Sequence, residues 1–336
     1  MLWLTWRQHR TELIGLLATA LVLAVLTAFA AAFAQRTRLE LGVDTCVPLP
    51  SGNANCVDLS QEWRNRVGLL LYLFPGFYLV PALVASYVGG PLLARELEQG
   101  THRLAWTQGV SRIRWAATTI GVVLAFALAG AIALAAVGGQ TRSFLGTPLF
   151  SALVTRPWDT FDVEGPAFVS FVLFGLAAGA FVGAWRRRIL FGMFYGLVLF
   201  GLVRIGVWAE LRPFYEPPIA VLQTPFIFTG TFPSGFQSPV PSDAWQVGYD
   251  AVDGQGRLVP QTTVKALNDE YGRVGCGAGQ RCDNIAYLNQ HDVYPRLLYQ
   301  PADRYWRFQV YESGLYLALT AALVAGTLVM LRRRDA

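Results

Sequence analysis

The sequence predicts an all-α polytopic membrane protein with six transmembrane helices and both termini cytoplasmic. Three observations carry this. Six apolar runs each approach the roughly 20 residues a helix needs to cross a hydrocarbon core about 30 Å thick. They are Leu13–Ala34, Val67–Val88, Trp115–Val137, Pro166–Ala184, Ile189–Trp208 and Gly314–Leu331. The chain is 54% hydrophobic and 15% charged, against roughly 25% charged for a soluble domain. Arginine falls on alternating connections. With the N-terminus inside, the inner segments hold twelve arginines against Glu12, Glu96, Glu98 and Asp335, whereas the outer segments hold 14 basic and 18 acidic residues. Excess arginine near helix ends marks the cytoplasmic face. The net charge of +5 is therefore a topology signal rather than a nucleic-acid footprint.

We read 1–336 as a single transmembrane domain, with 211–313 an extracellular insertion before the last helix. Basic residues are nearly all arginine, Lys265 being the only lysine. This points to a GC-rich bacterial genome and to the bacterial cytoplasmic membrane. The first apolar run, of 22 residues, exceeds the 7–15 residues of a signal-peptide core and is expected to be retained.

In chain order, Met1–Glu12 sets Leu2, Trp3, Leu4 and Trp6 before Arg7 and Arg10, the composition of a short interfacial helix or of a plain flank. The outer loop 35–66 is turn-rich, with Pro48, Pro50, Ser51, Gly52 and Asn53. Pro75 and Pro81 fall inside the second span, where they kink or hinge the helix. The inner segment 89–114 opens with Pro91, suited to a first helical turn. Leu92–Glu98 then gives about two amphipathic turns, which Gly100 ends, and Ser111 caps the next helix. Gly175, Gly179 and Gly183 recur every four residues on the fourth span, a stripe for close helix packing. Arg204 is the one charge inside a span. It is either part of a substrate path or gate, or snorkels to the outer boundary four residues away.

In the insertion, Pro217–Phe232 is apolar but proline-broken, consistent with a re-entrant or interfacial element. Val247–Tyr249 and Arg257–Val259 flank Asp253-Gly254-Gln255-Gly256, a hairpin signal. Cys46, Cys56, Cys276 and Cys282 all fall on the outer side. Four cysteines allow three connectivities. Local pairing, Cys46–Cys56 and Cys276–Cys282, is the simplest.

Catalytic signatures are missing from the sequence. Lys265 sits in Q-T-T-V-K-A-L, with no glycine-rich phosphate loop before it. His9, His102 and His291 lie in distant segments without a zinc-hydrolase motif. There is no G-x-S-x-G elbow. No catalytic, metal or cofactor residue is assigned.

The stretch Ala94-Arg95-Glu96-Leu97-Glu98-Gln99-Gly100-Thr101, with Trp106-Thr107-Gln108 and Ser111-Arg112, resembles the loop between spans two and three in permeases of type-2 ABC exporters. The similarity is closest to an actinobacterial branch, which shares the opening Leu4–Arg10 and the late block Tyr299–Glu312 with Trp306 and Gln309. These blocks cover about 45 residues. The resemblance implies a permease subunit of an ATP-driven exporter, working as a dimer with a second copy or paralogue. It implies an N-terminal interfacial helix and a cytoplasmic coupling helix. ATP and Mg would sit on a separate ATPase subunit, with Arg95, Glu96, Glu98, Gly100 and Thr101 as the coupling residues. Two other readings stand beside it: a membrane enzyme acting on a lipid-linked substrate through its outer loop, and a non-transporting module relaying ATPase motion to an outer partner.

Overall fold

The computed structural model describes residues 2–43, 55–71, 73–100, 111–145, 157–223, 239–241, 243–274 and 284–333. Among these, six helices are long and apolar enough to cross a membrane: Leu13–Glu40, Phe77–Gln99, Arg112–Gly139, Trp158–Arg186, Ile189–Phe214 and Ala302–Arg333.

The first of these belongs to α1 (Leu2–Glu40), one uninterrupted helix. No separate interfacial helix precedes it, because neither proline nor turn-forming residues divide Leu2–Glu12 from the apolar run. At the C-terminal end of α1, α2 (Asn55–Leu71) packs back on it through a small core of Ala34, Val43, Trp63 and Val67. The Trp63 indole N–H donates to the Ala34 carbonyl at 2.9 Å.

The disulfide expectation is corrected here. No disulfide is present among the described residues, and Cys46, Cys276 and Cys282 lie outside them. Cys56 falls in the first turn of α2 rather than in the turn-rich loop that local pairing with Cys46 presupposed.

The second crossing helix lies about ten residues later than the apolar run at Val67–Val88. It consists of α3 (Leu73–Leu83), a π-helical stretch Val84–Gly89, and α4 (Gly90–Gln99), joined without a break. Pro91 therefore continues a helix instead of opening one. The wider π turn just before it accommodates the missing donor. Ser111 does cap the next helix, α5 (Arg112–Leu145), its Oγ accepting the Arg114 N–H at 3.3 Å.

The fourth crossing helix is α6 (Gly165–Arg186). It is the hub of the bundle, enclosed by α3, α4, α5, α7 (Ile189–Gly206) and α10 (Tyr305–Arg333). Its glycines explain how. A Cβ built on Gly175, Gly179 or Gly183 would lie under 3.0 Å from backbone atoms of Pro81, Ala85 or Gly90 respectively. Gly192 and Gly196 of α7 meet the same seam. Three helix backbones thus touch along one line, as small-residue stripes permit in membranes.

The insertion is mixed. Strands β1 (Ile219–Leu222), β2 (Trp245–Val252) and β3 (Tyr294–Gln300) form an antiparallel sheet in the order β1-β3-β2. Helices α8 (Gln261–Val274) and α9 (Asn284–Gln290) complete it, over a core that includes Ala251, Val264, Leu288 and Val293. The apolar stretch after Pro217 begins as β1, an ordinary sheet strand, and 224–238 lie outside the described residues. The hairpin turn forms as expected: Asp253 N–H donates to Arg257 O at 2.9 Å, and Gly256 has φ +78°.

Candidate functional site

Two regions of the crossing helices hold polar chemistry. The first is the end of α4. Gly100 ends the helix at φ +73°, a left-handed conformation that glycine adopts without a Cβ clash. Arg95 and Glu98 are exposed, whereas Glu96 is only 8% exposed. The Glu98 carboxylate accepts the backbone N–H of Ile189 at 2.8 Å. Ile189 is the first residue of α7, so Glu98 satisfies an otherwise orphaned N-terminal donor of that helix. Arg187, in the turn between α6 and α7, is itself left-handed at φ 54°. The acidic pair read from the sequence thus divides: Glu96 turns inward, and Glu98 binds α4 to the start of α7. Thr101 lies outside the described residues.

The second region is an ionic tie among four side chains. Arg204 of α7 is paired with Asp162 and, at 3.1 Å, with Glu312 of α10. Arg212 donates through Nε to Glu312 at 2.7 Å, and through its terminal nitrogen to Glu312 at 2.6 Å and to Asp162 at 2.5 Å. Glu312 has no exposed side-chain surface, and Arg212 has 4%. Two cations and two anions make the group neutral, the condition under which charge tolerates burial. The guanidinium groups also lie over aromatic faces, Arg204 4.0 Å from the Phe171 centroid and Arg212 4.3 Å from that of Phe161.

Local backbone chemistry puts the two arginines together. Residues eight apart in an α-helix stand roughly 80° out of register. The π-helical stretch Val207–Leu211 between them has a wider turn that brings Arg212 back toward the face of Arg204. Gln309, fully buried, aligns the neighbouring segment. Its Oε1 accepts Ala167 N–H in the first turn of α6 at 2.9 Å, and its Nε2 donates to Phe161 O at 3.0 Å. The Tyr305 hydroxyl donates to Glu164, which also accepts Thr160 Oγ1 at 3.0 Å. The insertion is anchored beside the tie. The Gln300 amide donates to Pro213 O at 3.0 Å and Glu216 O at 2.7 Å, and Arg304 pairs with Glu216 at 3.0 Å. Tyr215, just past the α7 span, has its hydroxyl pKa pushed up by burial.

Of the residues singled out in the sequence, the structure places Arg204 in this tie and the three glycines of α6 in the packing seam. Arg95, Glu96, Glu98 and Gly100 of α4 are not among the four side chains of the tie. Asp162, Arg212 and Glu312 were missed. The only sequence signal for them was a second arginine eight positions after Arg204.

Six long apolar helices enclosing a neutral charge cluster define a multi-pass membrane protein. The chain belongs to the ABC-2 membrane transporter related family, whose model matches residues 13–212. The match takes in the first four crossing helices, the fifth as far as Arg212 and both arginines of the tie, and leaves out the strands of the insertion and α10. No curated protein and no solved structure matches the chain. Permeases of the ABC-2 type are non-catalytic transport subunits. Among the described residues no group of three or more His, Cys, Asp or Glu is placed to hold a metal ion.

Proposed function

We propose that this chain is the transmembrane subunit of an ATP-driven exporter in the bacterial cytoplasmic membrane, pairing with a second copy or paralogue and powered by a separate ATPase subunit that holds ATP and Mg. Family membership and the missing phosphate loop support this reading. Both termini, the end of α4 and the Arg186–Arg188 turn would face the cytoplasm, as the arginine distribution favours. The insertion 211–313 would lie outside.

The observation that carries the proposal is the continuity of the second crossing helix. At its outer end the Tyr78 hydroxyl donates to Asp159 O at 2.9 Å, three residues from the ionic tie. At its inner end lie Arg95, Glu98 and the left-handed stop at Gly100. The π stretch Val84–Gly89 sits between, against α6. One rod thus joins the surface where an ATPase would dock to the outer charge cluster, with a deformable turn in its middle. In this arrangement Arg95 and Gly100 meet the ATPase directly, Glu98 passes the displacement to α7, and Glu96 holds α4 to the bundle.

The test is Arg95→Glu combined with Gly100→Val, co-expressed with the ATPase subunit. We expect normal insertion and yield with loss of ATPase co-purification and of substrate-stimulated hydrolysis. Normal assembly and export by the double variant would refute the coupling assignment. Labelling of Asp335→Cys by an impermeant thiol reagent in intact cells, in a background with the four native cysteines replaced by serine, would refute the topology.

A further inference from the structure

Beside Arg204 lies an open cleft of about 250 Å³. Tyr78, Phe171, Phe200, Ile205 and Trp208 form aromatic and apolar walls, and Asp162 and Arg204 supply the polar surface. Ile205, Trp208 and Tyr78 are 64%, 54% and 45% exposed. The cleft therefore opens sideways between α3 and α7, on the surface that faces lipid or a neighbouring subunit, and not only toward water.

Charge decides what this cleft can take. Asp162 and Arg204 keep 18% and 17% of their side chains exposed, while their partners Glu312 and Arg212 are sealed. The tie thus shows the cavity one carboxylate edge and one guanidinium edge after balancing its own charge internally. A ligand with net charge would leave one unit uncompensated in a site of low dielectric. A headgroup bearing both signs satisfies both edges, and the aromatic walls take an apolar body. We propose that this cleft is a laterally entered binding site for a zwitterionic amphiphile, whose anionic group meets Arg204, whose cationic group meets Asp162, and whose chain runs along Ile205 and Trp208. The site stands on this geometry alone and does not require that the chain transport its ligand.

The purified full-length chain is placed in nanodiscs of phosphatidylglycerol, which supplies no zwitterionic headgroup. It is titrated with dodecyl probes brominated on the chain and carrying phosphocholine, trimethylammonium or sulfate. The readout is quenching of Trp208, taken as the difference between the native chain and Trp208→Phe. Saturable quenching is expected with the phosphocholine probe, about tenfold tighter than with either charged probe. Ile205→Phe, which narrows the cleft from an exposed position, should abolish it, and Asp162→Asn with Arg204→Gln should erase the headgroup preference. Repeating the titration with phosphatidylethanolamine in the disc distinguishes two sources of this chemistry. Loss of quenching identifies a resident lipid as the occupant, and retention identifies an amphiphile taken up as a solute; either supports the site. Equal quenching by all three headgroups in the native chain, or unchanged quenching in Ile205→Phe, would overturn it.

Discussion

Glu312→Leu is the sharpest test of the ionic tie. Glu312 accepts hydrogen bonds from both arginines, at 2.6 and 2.7 Å from Arg212 and 3.1 Å from Arg204, and has no exposed side-chain surface. Its removal leaves Arg204 and Arg212 sharing Asp162 alone, with one uncompensated positive charge in the bundle. Breaking a buried pair by deleting one partner costs about 3–5 kcal/mol. Arg204→Leu should cost less, because Arg204 is 17% exposed and Asp162 keeps Arg212. The combination Glu312→Leu/Arg204→Leu leaves a neutral Arg212–Asp162 pair. Its cost should fall below the sum of the single variants by about 1–2 kcal/mol, a coupling typical of residues within one network. The assay is the denaturation midpoint of the purified chain in mild detergent, followed by loss of helical circular dichroism. A cost for Glu312→Leu below about 1 kcal/mol, or strict additivity in the double variant, would show that the four charges are not one buried unit.

Gly179→Ala should destabilise the bundle by about 1–3 kcal/mol, because its Cβ would press on the backbone of Ala85 and Gly90 at under 3.0 Å; Gly201→Ala, where nothing lies within 4 Å, should be neutral in the same detergent assay. In the insertion, Asp253 accepts the Arg257 and Gln255 backbone N–H groups at 2.9 Å and the Arg257 Nε at 2.8 Å. The backbone N–H and then the side chain of Arg257 hold its carboxyl below the usual range. A depressed carboxyl pKa adds stability that is present above the unfolded value and lost as pH falls through the folded one. Amide exchange at Gln255 and Arg257 should therefore gain protection as pH rises through the lower acidic range, beyond the intrinsic exchange rate. Asp253→Asn should flatten that dependence, and an unchanged profile in the variant would refute the assignment.

The helical architecture was legible because lipid leaves the sequence little choice. A run of about 20 apolar residues has one stable conformation in hydrocarbon, and Ile189–Trp208 needed no further context. Shorter-range features that depend on one residue's backbone were also readable, such as the cap at Ser111, the stop at Gly100 and the turn at Asp253–Gly256. The second apolar run and the helix are offset because hydropathy weighs Val67–Gly76 and Gly89–Leu97 by composition, whereas the continuous helix runs from Leu73 to Gln99. Close backbone packing at Gly89 and Gly90 carries the helix past Pro91, and no hydropathy measure contains that term. The same blindness put Cys56 in a loop.

The ionic tie was illegible for a different reason. Arg212 meets Asp162 and Glu312 across separations of 50 and 100 residues, and Arg204 meets Glu312 across 108, and no local periodicity encodes a pairing at that range. The sequence nevertheless recorded its consequence. The block Tyr299–Glu312, which marked the resemblance without explaining it, contains Gln300, Arg304, Tyr305, Gln309 and Glu312. Each is a polar group that joins α10 or β3 to a distant segment. Spacing within the block follows from that task. Tyr305, Gln309 and Glu312 stand four and three apart, on one face of α10, because one helix face must meet the turn before α6 and the end of α7 together. Gln300 and Arg304 precede the helix because they fasten the sheet to the residues that follow α7. Trp306, about 100° around the helix from Tyr305, is 62% exposed and lies edge-on to the Tyr305 ring. The polar pattern in this last block is therefore a map of the bundle end that holds the tie, its helical part written as a single face.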